Sequence, residues 1–76
     1  MNPYQALANA IVAQAAKDYC AALKYHLTHP NNRKVERKVN KLEDFFHSDW
    51  FQVLTDADCE YLLREMRRMV REEVGA

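Results

Sequence analysis

Cationic side chains that could bind phosphate are concentrated in two stretches of this sequence. Residues 33–41 carry five cations and one acid, and residues 64–71 carry four arginines and one acid. A guanidinium group binds phosphate oxygens in a bidentate fork, so two such helices could together form a basic patch for nucleic acid or a cyclic nucleotide. The candidate anion-binding residues are Lys34, Arg37, Lys38, Arg64, Arg67, Arg68 and Arg71. The commoner arrangement is a solvated helix face with weak intramolecular salt bridges.

The span between these stretches has the opposite charge. Residues 43–60 contain six acids and no Lys or Arg. Such a span could imitate a phosphate backbone toward a protein that binds nucleic acid. For a basic protein partner, the candidate contacts are Asp49, Asp56, Asp58, Glu60 and an exposed Tyr61.

Aromatic and imidazole side chains gather near the end of the first predicted helix. They are Tyr19, Tyr25, His26 and His29, with Lys17 and Lys24 nearby. An aromatic ring beside a cation suits a stacked base and its phosphate, and Tyr25 is the candidate contact. Packing of a helix end on its neighbours is the more frequent role of such residues. His26 and His29 are three residues apart, but no third ligand is spaced for zinc, so no metal site is predicted.

The sequence offers weak signals for catalysis. Cys20 and Cys59 are predicted to be buried free thiols. A nucleophilic cysteine needs a nearby base, and His47 is a candidate that the sequence cannot place. Adjacent carboxylates occur at Glu43-Asp44, Asp56/Asp58 and Glu72-Glu73, and helix ends explain two of these pairs. We therefore predict no enzymatic activity, no catalytic residues and no cofactor.

Length and composition exclude several classes of protein. The chain has 76 residues, zero formal net charge, two Cys and one Gly, at position 75. These values predict a single helical domain over residues 1–76 and exclude a Gly-rich phosphate loop and a disulfide scaffold. No apolar run approaches the ~20 residues of a membrane span, no signal-peptide pattern is present, and no membrane partner is expected. A chain this small needs well-packed helices or a partner, so self-association is a reasonable expectation.

Apolar periodicity and capping residues predict four helical segments. The first starts at Asn2 and Pro3 and runs to about Leu27. The second runs from about Arg33 to His47, after a cap by Asn31 or Asn32. A short turn follows from Asp49 to about Leu54, capped by Ser48. Thr55 is predicted to cap the last helix, which extends to Val74. The predicted fold is an all-α small bundle of three main helices plus one short helix.

Two sequence features predict how these helices pack. Eight Ala lie between residues 6 and 22, so the first helix should be buried on more than one side. It is then either the central helix or one shared with a second copy. The aromatic residues Phe45, Phe46, Trp50 and Phe51 are predicted to form the hydrophobic nucleus.

Two segments resemble a set of small, uncharacterised phage and prophage proteins of Gram-positive bacteria. The segments are Asn9–Leu23 and Leu42–Arg67, which together cover more than half of the chain. The matching positions of the second segment are Phe45, Phe46, Ser48, Trp50, Phe51, Leu54, Thr55, Asp56, Tyr61 and Leu62. Cys20 and Cys59 depart from the pattern, so the thiols are dispensable to a shared function.

The resemblance implies a phage origin and action in the cytoplasm of the bacterial host. It carries no defined activity, but small phage proteins commonly block host defences. We therefore expect a binding protein that occludes a defence protein, such as a CRISPR effector, or sequesters a nucleotide signal. The alternative is a small nucleic-acid-binding accessory protein of phage replication or gene control. A homo-oligomer formed through the Ala-rich first helix is a further expectation.

Overall fold

The computed structural model describes residues 3–75, except for the side chain of Tyr4. The described residues form four helices and no strand: α1 Pro3–Thr28, α2 Arg33–Phe46, α3 Asp49–Leu54 and α4 Cys59–Gly75. The predicted all-α bundle of three main helices and one short helix is confirmed. The N-cap predicted at Asn2 lies outside the described residues.

The turn between α1 and α2 follows the predicted capping signals. The Thr28 hydroxyl donates to the carbonyl oxygens of Lys24 and Tyr25 at the end of α1. Asn32 then accepts a hydrogen bond from the Val35 N–H at 3.2 Å, which satisfies a donor that the first turn of α2 leaves free. This short connection lays α2 back along α1.

Ser48 joins α2 to α3 as predicted. Its hydroxyl donates to the Phe45 carbonyl at 2.6 Å and accepts from the Phe51 N–H at 3.3 Å. The same side chain therefore provides a hydrogen-bond partner for a backbone carbonyl at the end of α2 and for a backbone N–H at the start of α3. α2 ends at Phe46, with His47 as its C-cap, one residue earlier than predicted.

The predicted start of α4 is wrong. The Asp58 carboxylate accepts from the N–H groups of Glu60 and Tyr61 at 3.0 and 3.4 Å, and the helix begins at Cys59. Thr55 instead terminates α3, and its hydroxyl accepts from the Ala57 N–H. Asp and Thr are both good cap residues. The Thr55 side chain is already engaged in the turn that follows α3, so Asp58 caps α4.

The core contains buried side chains from all four helices. Tyr19, Phe46, Phe51 and Leu63 are the largest fully buried side chains. Phe46 packs edge-on against both Tyr19 and Phe51, with ring centroids 5.8 and 5.4 Å apart. Perpendicular arrangements of this kind suit the quadrupoles of aromatic rings, so these contacts hold the short α3 in place.

Trp50 does not belong to this nucleus, contrary to the prediction. It is 58% exposed, whereas the adjacent Phe51 is fully buried. Successive residues on a helix point about 100° apart, and α3 is oriented so that Phe51 faces the core and Trp50 faces solvent. Phe45 is half-buried and remains in the cluster, with its ring centroid 5.9 Å from that of Phe51.

α1 is the central helix, since it has the most extensive contacts with the other three helices. Tyr19, Ala22 and Leu23 in its second half are buried. Its first half is more open: Leu7 is 61% exposed, and Ala10 and Ala13 are exposed. The prediction that α1 is buried on more than one side therefore does not hold for its first half within a single chain.

Candidate binding surfaces

Five cations of α2 form an exposed basic surface, here called the α2 basic face. Its residues are Arg33, Lys34, Arg37, Lys38 and Lys41. They are exposed because the apolar side of α2, with Val39 and Phe46, is buried against the core. None of the five has an ion-pair partner among residues 3–75. Since Glu36 is the only acid among them, their charge is left largely uncompensated.

Two shallow grooves run along this face. One is lined by Arg33, Glu36, Arg37 and Asn40, and the other by Lys34, Arg37, Lys38 and Lys41. Both are lined by α2 residues alone and are open to solvent. A groove of this shape can contact an extended anionic polymer or a protein surface, whereas sites for small molecules usually enclose most of the ligand.

Tyr25 lies beside the α2 basic face. A third groove is lined by Ala21, Ala22, Tyr25, Asn32, Lys34, Val35 and Lys38. The Tyr25 ring is 45% exposed and stacks on the His29 ring, with centroids 4.1 Å apart and planes inclined by 11°. Three predicted contact residues, Tyr25, Lys34 and Lys38, are thus brought together by the antiparallel packing of α1 and α2.

Tyr19 is not part of this aromatic surface. It is fully buried, and its hydroxyl donates to Glu43 Oε2 at 2.7 Å. Burial, followed by this hydrogen bond to a carboxylate, raises the pKa of Tyr19 to about 12. The four aromatic and imidazole residues grouped in the sequence therefore divide between the core and the surface.

Arg67 belongs to the same internal cluster. Its guanidinium donates to the Tyr19 hydroxyl and to Glu43 Oε2, both at 3.1 Å. These hydrogen bonds favour the charged form and raise the pKa of Arg67 above its ordinary value. Arg67 therefore links α4 to α1 and α2, and its donors are directed inward rather than toward a partner.

The remaining arginines of α4 lie in three different environments. Arg68 forms ion pairs with Glu65 at 2.9 Å and with Glu72 at 2.8 Å. The Arg64 guanidinium carbon lies 5.6 Å from the centre of the Tyr61 ring, and Tyr61 is itself exposed. Arg71 is exposed without an ion-pair partner among the described residues. Among the predicted α4 cations, Arg64 and Arg71 remain the more accessible.

The acidic residues are distributed along the α3–α4 side of the molecule. Asp49, Asp56, Asp58 and Glu60 are exposed. Asp58 caps α4, and Glu60 Oε1 lies 3.4 Å from His47 Nδ1. Asp49 and Asp56 thus remain the more available contacts for a basic partner.

Cys59 lies beside His47, which the sequence could not establish. The Cys59 sulfur is 4.0 Å from His47 Nδ1, and a donor atom from each of His47, Cys59 and Glu60 lies within 4.8 Å of the others. Cys20 has a different environment: burial, followed by the nearby Glu73 charge, raises the pKa of its thiol. Both cysteines are half-buried rather than fully buried.

An apolar surface joins the first half of α1 to α3. It is lined by Leu7, Ala8, Ile11, Trp50, Val53 and Leu54 and is called the α1–α3 apolar surface. Val53 is 76% exposed and Trp50 is 58% exposed. Exposed apolar patches mark contact sites on many proteins. This surface was not predicted from the sequence because Trp50 was expected to lie in the core.

None of the helices formed by residues 3–75 is both long and apolar enough to cross a membrane. In the comparisons with known proteins, no family model, curated protein or solved structure matches the chain.

Proposed function

We propose that this chain is a non-enzymatic phage protein that inhibits a bacterial anti-phage defence system by stoichiometric binding. Its contact surface is the α2 basic face together with Tyr25. The partner surface is anionic, as is the face of a nucleic-acid-bearing defence complex. The observation that carries this proposal is a row of five cations, without ion-pair partners among residues 3–75, beside an exposed tyrosine.

The charges of this row support binding rather than folding. Lys24, Arg67 and Arg68 each pair with an acid of the same chain, whereas the cations of α2 form no ion pair within the part of the chain that the structure describes. Arg33 to Lys41 spans about 12 Å of helix, with like charges four residues apart that disfavour the isolated helix. An anionic partner relieves this repulsion. Its contact with the row is therefore electrostatically more favourable than contact with a surface whose cations are already paired.

The shape of the surface favours occlusion over sequestration. The grooves of the α2 basic face are open, so they do not enclose a mononucleotide or cyclic dinucleotide. An open row of cations instead suits several phosphates or carboxylates presented by a large partner. Tyr25 adds a ring on which an unpaired base can stack.

The phage origin and the site of action in the host cytoplasm rest on the sequence resemblance. It supports an anti-defence role through the usual use of such small proteins, not through a shared site. A second function is favoured by the same cations: a nucleic-acid-binding accessory of phage replication or gene control. The two functions differ in whether free nucleic acid is bound.

A plaque assay tests the anti-defence role. The chain is expressed in Gram-positive hosts that each carry one defence system, and plaque formation by a sensitive phage is counted. We expect plaques to be restored in at least one host, and restoration to be lost with the double variant Arg37→Gln/Lys38→Gln. The matched control is Lys24→Gln/Arg68→Gln, which removes two cations that are already paired. Equal activity of the two double variants would argue against the α2 basic face.

Fluorescence anisotropy with labelled single-stranded and duplex oligonucleotides separates the alternative function. A nucleic-acid-binding accessory should bind with an affinity that falls steeply between 50 and 200 mM salt. For each phosphate contact that the Arg37→Gln/Lys38→Gln variant loses, the salt slope should decrease by about 0.9 on duplex DNA and by about 0.7 on single strands. Tight binding without restored plaques supports the accessory function. Failure of both assays overturns the assignment of the α2 basic face.

A further inference from the structure

We propose that His47, Cys59 and Glu60 form a site for one zinc ion. The three side chains offer an imidazole nitrogen, a thiolate and a carboxylate oxygen, the donor types that zinc uses in proteins. All three donor atoms lie within 4.8 Å of one another. The soft sulfur and the imidazole favour zinc over magnesium or calcium, which select oxygen donors.

The separations of His47 Nδ1 from the other two donor atoms are close to those around a tetrahedral ion. Ligand distances of about 2.3 Å to sulfur and 2.0–2.2 Å to nitrogen and oxygen imply separations of roughly 3.6 Å for S···N and 3.4 Å for N···O. His47 Nδ1 lies 4.0 Å from the Cys59 sulfur and 3.4 Å from Glu60 Oε1. The Cys59 sulfur and the Glu60 carboxylate oxygen lie within 4.8 Å of each other, and rotation of the exposed Glu60 side chain brings them to the roughly 3.6 Å that a shared ion requires.

The backbone presents these ligands from two helix ends. His47 is the C-cap of α2, and Cys59 and Glu60 are the first two residues of α4. An ion held there links the end of α2 directly to the start of α4. The link closes residues 47–59, which include α3, into a loop. His47 and Glu60 are exposed and Cys59 is half-buried, so a water molecule has access to the fourth position. The thiol gives up its proton to solvent when the metal binds.

Cobalt(II) titration tests the site because a cobalt–thiolate bond has its own near-ultraviolet absorption. We expect this band in the wild-type protein and in the control Cys20→Ser, with one ion per chain and displacement by zinc. It should be absent in Cys59→Ser and weakened in His47→Gln. Zinc should also raise the melting temperature of the wild-type protein but not of Cys59→Ser. No band, or a band that survives in Cys59→Ser, overturns the proposal.

A second, independent inference concerns the exposed side of α1. We infer that α1 pairs in antiparallel orientation with α1 of a second copy. One stripe of α1 has the alternating four- and three-residue spacing of a helix-pairing seam. Its members are Leu7, Ile11, Gln14, Asp18, Ala21 and Tyr25. All six are exposed or half-exposed in the single chain, and grooves run beside the stripe along its length.

The stripe is complementary to itself when reversed. Centring the pair at residue 16 places Leu7 opposite Tyr25, and Ile11 opposite Ala21. In each pair, a branched side chain meets either a flat ring or a small residue. The same register sets Gln14 opposite Asp18, and these two groups are hydrogen-bond partners already, at 3.0 Å within one chain.

The charges around the stripe favour the same orientation. Lys34 and Lys38 flank the Tyr25 end, whereas α3 flanks the Leu7 end, with Asp49 next to the exposed Trp50. Reversing a second copy brings Lys34 and Lys38 of one chain to the acidic, aromatic end of the other. Self-pairing and an anionic partner therefore compete for Tyr25, Lys34 and Lys38. The reversed copy also covers the α1–α3 apolar surface, which a monomer leaves in water. A second copy is therefore the occupant that this surface fits.

Sedimentation and cross-linking test the pairing. We expect a concentration-dependent dimer, and a monomer for Ile11→Asp. For orientation, Ile11→Cys and Ala21→Cys are made separately in a chain with both native cysteines replaced by Ala. Only the mixture of the two variants should give a disulfide-linked dimer on oxidation. A wild-type monomer at all concentrations overturns the inference, and so does linkage within either variant alone, which indicates a parallel pair.

Discussion

Arg67 of α4 and Arg37 of α2 carry the same charge on helices of the same bundle, yet they have opposite environments. Arg67 donates to Glu43 and to the buried Tyr19 hydroxyl. Arg37 is exposed and has no ion-pair partner among residues 3–75. A cation therefore becomes structural when its helix position faces an acid on a neighbouring helix.

The environments of Arg67 and Arg37 differ because Arg67 has Glu43 as an acceptor. Glu43 lies on the side of α2 that faces α1 and α4, where both a phenol and a guanidinium reach one of its oxygens. Glu36, two turns earlier on α2, is exposed and makes no such contact. The internal cluster of Tyr19, Glu43 and Arg67 should therefore affect folding, whereas the α2 basic face should affect binding.

The largest expected effect is on stability when Glu43 is removed. Glu43→Ala leaves the Tyr19 hydroxyl and the Arg67 guanidinium without their shared acceptor. The free energy of unfolding should fall by about 1–3 kcal/mol, as measured by urea denaturation. Asp44→Ala is the matched control, since Asp44 is exposed on the same helix, and it should change stability by less than about 0.5 kcal/mol. Equal losses would show that Glu43 has no special structural role.

Tyr19→Phe should have a smaller effect because Arg67 and Glu43 still pair. Loss of the two hydrogen bonds of the hydroxyl should lower the free energy of unfolding by about 1 kcal/mol. Tyr61→Phe removes an exposed hydroxyl and should leave stability unchanged. An unchanged Tyr19→Phe protein would contradict the internal cluster.

Alkaline pH should weaken the same cluster. The pKa of Tyr19 is about 12 in the folded protein, against an ordinary value of 10.0. The unfolded chain therefore loses this proton first, and the stabilisation is fully present below pH 10 and is lost as the pH rises toward 12. Urea denaturation at intervals across this range should show the stability advantage of the wild-type protein over Tyr19→Phe becoming smaller. A constant difference would contradict the raised pKa.

The smallest expected effect has the opposite sign. Arg37→Gln/Lys38→Gln relieves repulsion between like charges and should leave the protein unchanged or more stable by up to about 0.5 kcal/mol. The control Lys24→Gln/Arg68→Gln removes paired cations and should leave it unchanged or slightly less stable. Thermal melts of both at low and high salt measure the difference. A clear loss of stability in Arg37→Gln/Lys38→Gln would assign these cations to the fold.

Much of the fold could be predicted because its signals are local. Apolar periodicity and the caps at Asn32 and Ser48 depend on neighbours a few residues away, and the structure confirms them. Errors arose where two local signals competed. Both Thr55 and Asp58 can cap a helix, and both Trp50 and Phe51 can fill a core.

The candidate sites were less predictable because they combine residues distant in the sequence. Tyr25 joins Lys34 and Lys38 only through the packing of α1 on α2. Cys59 meets His47 only because α3 returns the chain to the end of α2. Both contacts join residues on different helices, so the periodicity of a single helix does not predict them.

The sequence by itself determined a small, neutral, all-helical chain with two cation-rich stretches and an acidic span, since composition and periodicity are properties of the chain alone. Only the tertiary structure decided which charges are used internally. Arg67 is neutralised by Glu43, 24 residues away in the sequence, whereas the cations of α2 face solvent. The physical reason is that the strength of an ion pair depends on distance and burial, and for residues on different helices both are set by packing.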